Sequence, residues 1–232
     1  MADREEVRQR IIDATTQLLR DKGREGVTTR TVSAAAGVQA PTLYRLFTDM
    51  NGLLEAVAAD GFARYLASKD RQKPSGDPVD DLRRGWDNHV GFGLENPEQY
   101  MLMFGRQTPD AHRRSTEQSM EKLRLLVERI AAAGRLTVGV RTAMDMMHAA
   151  SVGCTLNLIR TPQEQRDPAL PGRLREAVLA AITTETPTGP PSVAQRAVGL
   201  MAVLDDVPGL YTPGERALLD ELLDRAAQSS LS

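Results

Sequence analysis

The stretch TTRTVSAAAGVQAPTLYRLF, residues 28–47, constrains the local fold more than any other part of the sequence. Gly37 tolerates a positive φ and can therefore end a helix sharply. Pro41 fits the first turn of a following helix, where its missing N–H costs no hydrogen bond. Thr28 offers a hydroxyl to the free amides at the start of the preceding helix. The stretch therefore predicts a helix, a tight turn and a second helix.

Helical patterns surround this pair. Val7, Ile11, Ala14 and Leu18 recur at steps of four, three and four and predict a first helix closed by Gly23. Asp49 is predicted to cap a fourth helix. The apolar content of 41% with only 4% aromatic residues, and the long Ala-, Leu-, Arg- and Glu-rich stretches, predict an all-α chain. Later helices are predicted near residues 78–95, 97–105, 110–133, 138–160, 168–185, 192–206 and 213–228.

Two of these later helices have a clear start in the sequence. Asn96 precedes Pro97, and Thr212 precedes Pro213, with Gln99 or Glu215 at the third helical position. Both Asn96 and Thr212 are therefore predicted to cap a helix. The helix at 138–160 is apolar or small on nearly every side, which predicts a central position in the larger part of the chain.

The charge of the sequence leaves nucleic-acid binding to local arrangement. The formal net charge is -2 and the pI is near 6.0, so the chain has no general attraction to phosphates. Residues 1–50 contain eight Lys and Arg against seven Asp and Glu. These values argue against a protein that coats nucleic acid without specificity.

A helix-turn-helix reads DNA because a helix fits the major groove while the helix before it crosses the phosphates. Thr28 and Thr29 stand at the positive end of the first helix of the pair, which suits a phosphate. The side chains expected to face a duplex are those of Gln39, Ala40, Thr42, Tyr44 and Arg45. Short amphipathic helices joined by Gly also occur in all-α proteins that never touch DNA, so the spacing alone leaves both readings open.

Residues 5–58 resemble the N-terminal DNA-binding domain of the tetracycline-repressor (TetR) family. That family has a first helix ending in Gly, a Thr-led helix with Ala-Ala-Gly-Val, then Thr-Leu-Tyr with a Phe three residues on, and Leu-Leu in the fourth helix. The matching positions are Gly23, Thr28, Ala35, Ala36, Gly37, Val38, Thr42, Leu43, Tyr44, Phe47, Leu53 and Leu54. The resemblance implies that Thr42 and Tyr44 contact the phosphate backbone. It also implies that Gln39, Ala40 and Arg45 lie where base edges are read.

The expected DNA-binding domain is residues 1–58, an N-terminal three-helix helix-turn-helix domain. Its candidate DNA-binding residues are Thr28, Thr29, Arg30, Gln39, Ala40, Pro41, Thr42, Tyr44 and Arg45. The sequence departs from the family at Gln39, where a Ser is common, and at Leu46, where a His or aromatic residue is frequent. Met50 stands where many relatives carry a phosphate-binding Lys. That departure predicts a shallower salt dependence of DNA binding.

The resemblance implies that residues 59–232 form a larger C-terminal helical ligand-binding and dimerisation domain. Within it, LENPEQYMLMF at 94–104 and MDMMHAASVGCTLNL at 144–158 look like one common subtype. Aromatic, Met and His side chains there suit the wall of a mostly apolar cavity with a few polar anchors. The candidate ligand-binding residues are Trp86, His89, Phe92, Tyr100, Met101, Phe104, Met144, Met147, His148 and Ser151. Each of them could also be ordinary core.

The sequence offers little for catalysis. It contains no Gly-rich phosphate loop and no G-x-S-x-G elbow, and only Asp145-x-x-His148 resembles half of a di-metal motif. Cys154 is the single cysteine, which excludes an internal disulfide and fits a reducing cytosol. We therefore expect a cytoplasmic protein that is not an enzyme, with no cofactor, no metal and no membrane span.

The partners implied are a double-stranded DNA operator, a small, largely apolar effector and a second copy of the chain. A single reading head contacts few base pairs, so a homodimer on a palindrome is expected. Its interface is expected at helices 138–160 and 168–185. The main alternative is a helical, dimeric small-molecule carrier with no DNA role.

Overall fold

The computed structural model describes residues 2–71, 73–105, 113–184, 193–204 and 209–228. Their regular structure is helical, apart from one isolated β-bridge between Leu136 and Thr183, which confirms the predicted all-α fold. Single turns of 3-10 helix lie at Arg24–Gly26 and Gln163–Gln165. The α-helices are α1 (Ala2–Lys22), α2 (Thr29–Ala36), α3 (Ala40–Phe47), α4 (Met50–Asp70), α5 (Pro78–Glu95), α6 (Pro97–Phe104), α7 (Arg113–Ala132), α8 (Val140–Arg160), α9 (Leu170–Ile182), α10 (Val193–Val203) and α11 (Pro213–Gln228).

The predicted helix, tight turn and helix at residues 28–47 is confirmed. Thr28 caps α2: its Oγ1 accepts the Thr31 N–H at 3.2 Å, and Thr31 Oγ1 accepts the Thr28 N–H at 3.0 Å. Gly37 ends α2 with φ 64. The N–H of Val38 then donates to the carbonyl of Ser33 at 3.0 Å, which closes the last turn.

Only two residues separate α3 from α4. Thr48 has φ 66 and ψ -53, and the N–H of Asp49 donates to the carbonyl of Phe47 at 2.7 Å, so Thr48 is the centre of a strained γ-turn. Asp49 caps α4 as predicted, since its Oδ1 accepts the N–H of Gly52 at 2.8 Å. A Cβ at Gly52 would lie 2.2 Å from the Phe47 carbonyl oxygen, which explains the glycine in this first turn.

Contacts divide the chain into two compact units. The first unit comprises Met1–Arg71, His89–Gln118 and Thr155–Gln165, and the second comprises Gln72–Asn88, Ser119–Cys154 and Arg166–Ser232. Helices α5, α7 and α8 contribute residues to both units. The expected boundary between residues 58 and 59 falls inside α4, and the division into two functional domains stays a prediction.

The first unit has an N-terminal core built from α1, α2, α3 and α4. The completely buried apolar side chains of this core are Ile11, Val32, Leu43, Leu53 and Val57. Phe47, one turn after Leu43, is also buried in it. Helix α3 is therefore held by one face, and its opposite face is directed away from the core.

The second unit contains a buried carboxylate on α5. Asp81 is only 5% exposed, and its Oδ1 accepts the Ser75 N–H and the Ser75 hydroxyl, each at 2.8 Å. Arg84 also pairs with it, and Arg129 Nη1 lies 2.8 Å from its Oδ2. Burial alone would raise the pKa of Asp81, but the hydrogen bonds from Ser75, Arg84 and Arg129 outweigh burial and lower the pKa to about 2.

Helix α8 differs from its predicted central position. It buries Met147 and Cys154 on one face and exposes Asp145, Ala149 and Gly153 on another. Asp145 is exposed and pairs with Arg141 one turn away at 2.9 Å. The predicted central position was wrong because alanine and glycine were counted as residues that favour burial. Their side chains have little apolar surface, so exposing them costs little free energy.

The two predicted caps have different outcomes. Thr212 caps α11, because its Oγ1 accepts the Glu215 N–H at 3.3 Å and Glu215 Oε2 accepts the Thr212 N–H at 2.8 Å. Asn96 does not cap α6 with its side chain. Its Nδ2 donates to the Phe92 carbonyl at 3.0 Å, and its Oδ1 accepts a hydrogen bond from Arg20. The side chain is thus already engaged by α5 and α1.

In the described part of the chain, no helix combines the length and the apolar character that crossing a bilayer requires.

Candidate functional site

The outward face of α3 carries the residues that the sequence singled out. Gln39, Pro41, Tyr44 and Arg45 are exposed, whereas Ala40 and Thr42 are half-buried. Because Leu43 and Phe47 point into the core, the helical spacing directs Tyr44 and Arg45 away from it. The result is a short helix with a polar, accessible surface.

A hydrogen bond links this surface to the start of α2. The hydroxyls of Thr29 and Tyr44 lie 2.8 Å apart, and Tyr44 is 44% exposed. The amides of Thr29 and Arg30 stand in the first turn of α2, ahead of the intrahelical hydrogen bonds. An anion placed here would meet free N–H groups and two hydroxyls, which is the chemistry of a phosphate contact.

Thr28 and Thr29 have different positions in this arrangement. The Thr28 hydroxyl is occupied by the cap with Thr31, while the Thr29 hydroxyl meets Tyr44. From the sequence, both threonines were predicted to contact a phosphate in the same way. In the structure, Thr29 contacts Tyr44 and Thr28 does not. Thr28 remains exposed and supports the helix end.

Two arginines and one methionine complete this part of the surface. Arg30 and Arg45 are exposed, and neither forms an ion pair with a residue that the structure describes. Both guanidinium groups are thus available to an anion or a base edge. Met50, at the start of α4, is half-buried and packs against the N-terminal core.

Four of the candidate ligand-binding residues lie together in the first unit. The imidazole of His89 on α5 stands between two tyrosines: Nδ1 is 2.7 Å from the Tyr65 hydroxyl, and Nε2 is 2.7 Å from the Tyr100 hydroxyl. The ring of Phe104 lies 4.6 Å from that of Tyr100, and the ring of Phe92 lies 5.3 Å from that of Tyr65. We call these five residues the aromatic cluster.

The other candidates are placed separately. Met101 is half-buried on α6 in the first unit. The second unit contains Trp86, Met144, Met147, His148 and Ser151, all buried or half-buried. The indole N–H of Trp86 is buried and has no hydrogen-bond partner among the described residues. Grouping these residues with the aromatic cluster as one ligand site stays a prediction.

Sequence reasoning missed Tyr65 and the contacts that hold α6. Tyr65 follows Leu54, Ala58 and Phe62 on one buried stripe of α4, so helical periodicity could have indicated it. The partners of α6 had no such signal, because they lie far away in the sequence.

Gln99 attaches α6 to α4. Its Nε2 donates to the carbonyl of Val57 at 2.9 Å, and its side chain lies against Gly61, where a Cβ would be 2.8 Å from Gln99 Cγ and Cδ. Asn96 connects to Arg20 of α1 just before α6 begins. Helix α6 is therefore attached to two helices of the N-terminal core and, through Tyr100, to the aromatic cluster.

Known proteins resemble this chain in two ways. The family model for bacterial regulatory proteins of the tetR family matches residues 11–57. The class D tetracycline repressor of Escherichia coli is 38% identical over 58 residues, which is 25% of this chain and 27% of the repressor. The match therefore spans about a quarter of that relative.

Solved structures extend the likeness at the level of fold. A Rhodococcus sp. RHA1 protein of unknown function superposes with a TM-score of 0.63 at 20% identity, covering 77% of this chain and 96% of that one. A TetR/AcrR-family transcriptional regulator from Thermobifida fusca gives a TM-score of 0.60 at 20% identity, covering 74% of this chain and 96% of the regulator.

Both kinds of likeness agree with the geometry of α2 and α3. Residues 11–57 therefore form a helix-turn-helix domain of the type found in the tetR family of bacterial regulatory proteins, and the chain is similar in fold to a solved regulator of that family.

Proposed function

We propose that the chain is a ligand-responsive transcriptional regulator: a repressor that binds a palindromic operator as a homodimer and is released by a small, largely apolar molecule. The observation that carries the DNA-binding part is the outward face of α3 joined to the start of α2 by the Thr29–Tyr44 hydrogen bond. This geometry offers a phosphate contact beside residues that can reach base edges.

The residues of this surface divide into two roles. Thr42 and Tyr44, with the first turn of α2, hold the phosphate backbone and fix how α3 enters the groove. Base edges are met by Gln39 and Ala40, at the start of α3, and by Arg45, on its outer side. Arginine and glutamine make paired hydrogen bonds to guanine and adenine, respectively, in the major groove.

A homodimer is supported by exposed small residues. Ala149 and Gly153 on α8 are exposed, as are Ala177 and Ala180 on α9. Small side chains allow the backbones of two helices to approach closely, so these faces suit packing against a second copy. Two reading heads on one two-fold axis would then match a palindrome.

Release by an effector requires a path from the ligand to the reading head. The hydrogen bonds of His89 tie α5 to Tyr65 on α4 and to Tyr100 on α6. A small molecule that separated these rings would move α6, and Gln99 would transmit that movement to α4 at Val57. Effector and operator would then weaken each other by the same coupling energy, typically about 1 to 3 kcal/mol.

Fluorescence anisotropy on an operator selected from genomic fragments tests the DNA-binding part. Tyr44→Ala should weaken binding to all sequences, because a phosphate contact carries no sequence information, and Arg45→Ala should also relax specificity. The matched control for the tyrosine is Tyr211→Ala, which is 41% exposed on the connection to α11.

If neither Tyr44→Ala nor Arg45→Ala changed affinity, the DNA-binding role would be rejected in favour of a carrier of apolar metabolites. The release step has its own test: operator affinity is measured with and without a saturating apolar compound known to bind the protein. An affinity that stayed the same would refute the coupling.

A further inference from the structure

Exposed apolar side chains are concentrated at the C-terminal end of the described chain. Nine large apolar side chains in the described residues are more than a third exposed, and seven of them lie between residues 193 and 222. Helices α10 and α11 of this region pack against each other. A soluble monomer seldom gathers so many exposed apolar side chains in one short region, so this concentration indicates an interface.

Helix α11 has two apolar faces. Leu219, Leu223 and Ala227 are buried or half-buried, in keeping with packing on α10. Leu218 and Leu222, on another side of the helix, are 56% and 48% exposed. A helix with apolar residues on two sides needs two packing partners, and the described chain supplies one of them.

The charges beside these leucines indicate what the second partner is. On the exposed side the order is Glu215, Leu218, Leu222 and Arg225, with spacings of three, four and three residues, as in the seam of a coiled coil. The order is self-complementary when reversed. Leu218 and Leu222 lie at equal distances in sequence on either side of Asp220, and so do Glu215 and Arg225. In an antiparallel pair of these helices centred on Asp220, each leucine therefore meets the other leucine, and each charge meets the opposite charge.

We propose that α11 packs antiparallel against α11 of a second copy of this chain. Leu218 then lies against Leu222 of the partner subunit, and Arg225 reaches Glu215 of the partner subunit, with both contacts repeated by two-fold symmetry. A parallel pair would instead place like charges opposite each other. Glu215 is available for this pairing, because only its Oε2 takes part in the Thr212 cap.

This contact extends the proposed homodimer by naming a surface outside α8 and α9. It rests on self-association and not on DNA binding, so DNA-free protein is sufficient to test it. Within the described ranges, Arg225 pairs only with Glu221, at 3.4 Å, and both side chains are about two-thirds exposed. Such a pair is weak and costs little to exchange for a partner across the interface.

Cysteine cross-linking of the full-length chain tests the register. Two differently tagged chains, one carrying Leu218→Cys and the other Leu222→Cys, are produced together and treated with a short bis-maleimide. The matched control is Leu125→Cys on α7, since Leu125 is 50% exposed and lies outside the proposed contact. Wild-type protein gives the background from the buried Cys154.

We expect the mixed pair to form cross-linked dimers severalfold more than the Leu125→Cys control. Adding Arg225→Glu should reduce the yield severalfold, whereas Arg225→Lys should preserve it because the charge is kept. A mixed-pair yield no higher than the control would overturn the contact, and a yield insensitive to Arg225→Glu would overturn the antiparallel register. If the mixed pair formed no specific cross-link but the protein still bound its operator, the α11 contact would be rejected and the proposed function would be unaffected.

Discussion

Replacing Gly61 by alanine sets two effects of known size against each other. Alanine in the middle of α4 should stabilise the helix by about 1 kcal/mol, because glycine has the poorer helix propensity. The new Cβ, however, would lie 2.8 Å from Gln99 Cγ and Cδ, closer than any carbon contact allows. Overpacking of this kind costs about 1 to 3 kcal/mol.

The position of Gln99 makes the second effect the larger one. Gln99 is buried, and its Oε1 has no hydrogen-bond partner among the residues that the structure describes. Moving the side chain away would also break the 2.9 Å hydrogen bond from Nε2 to the Val57 carbonyl. Losing that bond inside the protein adds about 1 kcal/mol or more. We therefore expect Gly61→Ala to destabilise the protein by about 2 kcal/mol, a fall in melting temperature of roughly 4 to 8 °C for a chain of this length.

Thermal unfolding followed by circular dichroism measures this effect, with a double-mutant cycle to assign its cause. Gln99→Ala should relieve the clash, so the double variant should be less damaged than the sum of the single variants by about 1 kcal/mol or more. Gly91→Ala in α5 is the matched control, because a Cβ there meets no atom within 4 Å and only the propensity gain remains. If Gly61→Ala raised the melting temperature as Gly91→Ala does, the close packing of α6 on α4 would be disproved.

Three further predictions concern separate sites. Met50→Lys should steepen the dependence of operator affinity on salt concentration by about one unit of log–log slope for each half-site, because the lysine gains a phosphate contact. Anisotropy at several salt concentrations measures this slope, and equal slopes for the variant and the wild type would contradict the prediction. The pKa of Asp81 is lowered from its ordinary value of 3.8 to about 2, so the ionised carboxylate stabilises the folded state above pH 3.8. This contribution of about 2 kcal/mol to the free energy of unfolding is lost as the pH falls from about 4 to 2. Urea unfolding over this range should show the loss in wild type and a smaller loss in Asp81→Asn. Thr48→Gly should stabilise the protein by about 1 kcal/mol, because glycine relieves the strained φ of 66; a destabilised variant in the same unfolding assay would argue against strain.

Local signals predicted those parts of the fold that depend on neighbouring residues. Gly37, Pro41 and Asp49 act on backbone groups within a few positions of themselves, so the helix-turn-helix and the start of α4 could be predicted from the sequence. The helix boundaries further along were predicted for the same reason. The surface of α3 also followed, since burying Leu43 and Phe47 fixes the direction of the residues between them.

Contacts between distant parts of the chain could not be predicted in this way. Asn96 has the spacing of a capping residue, but Arg20, 76 positions earlier, takes its side-chain oxygen. His89 was chosen as a ligand contact, but nothing in the sequence indicated that hydroxyls from α4 and α6 would occupy both of its ring nitrogens. The exposed face of α8 was not predicted. Apolar periodicity shows which residues can be buried, but small residues such as Ala149 and Gly153 can also be exposed at little cost.

The cap at the start of α2 bears on how this end of the helix meets DNA. The third helical residue of such a cap is commonly glutamate, but here it is Thr31, and the first turns of α2 and α3 contain no acidic residue. A glutamate would gain a little stability from the helix dipole and would also repel an approaching polyanion. A hydroxyl satisfies the same amide without adding charge, so the amino terminus of α2 stays electropositive where a nucleic-acid strand would arrive.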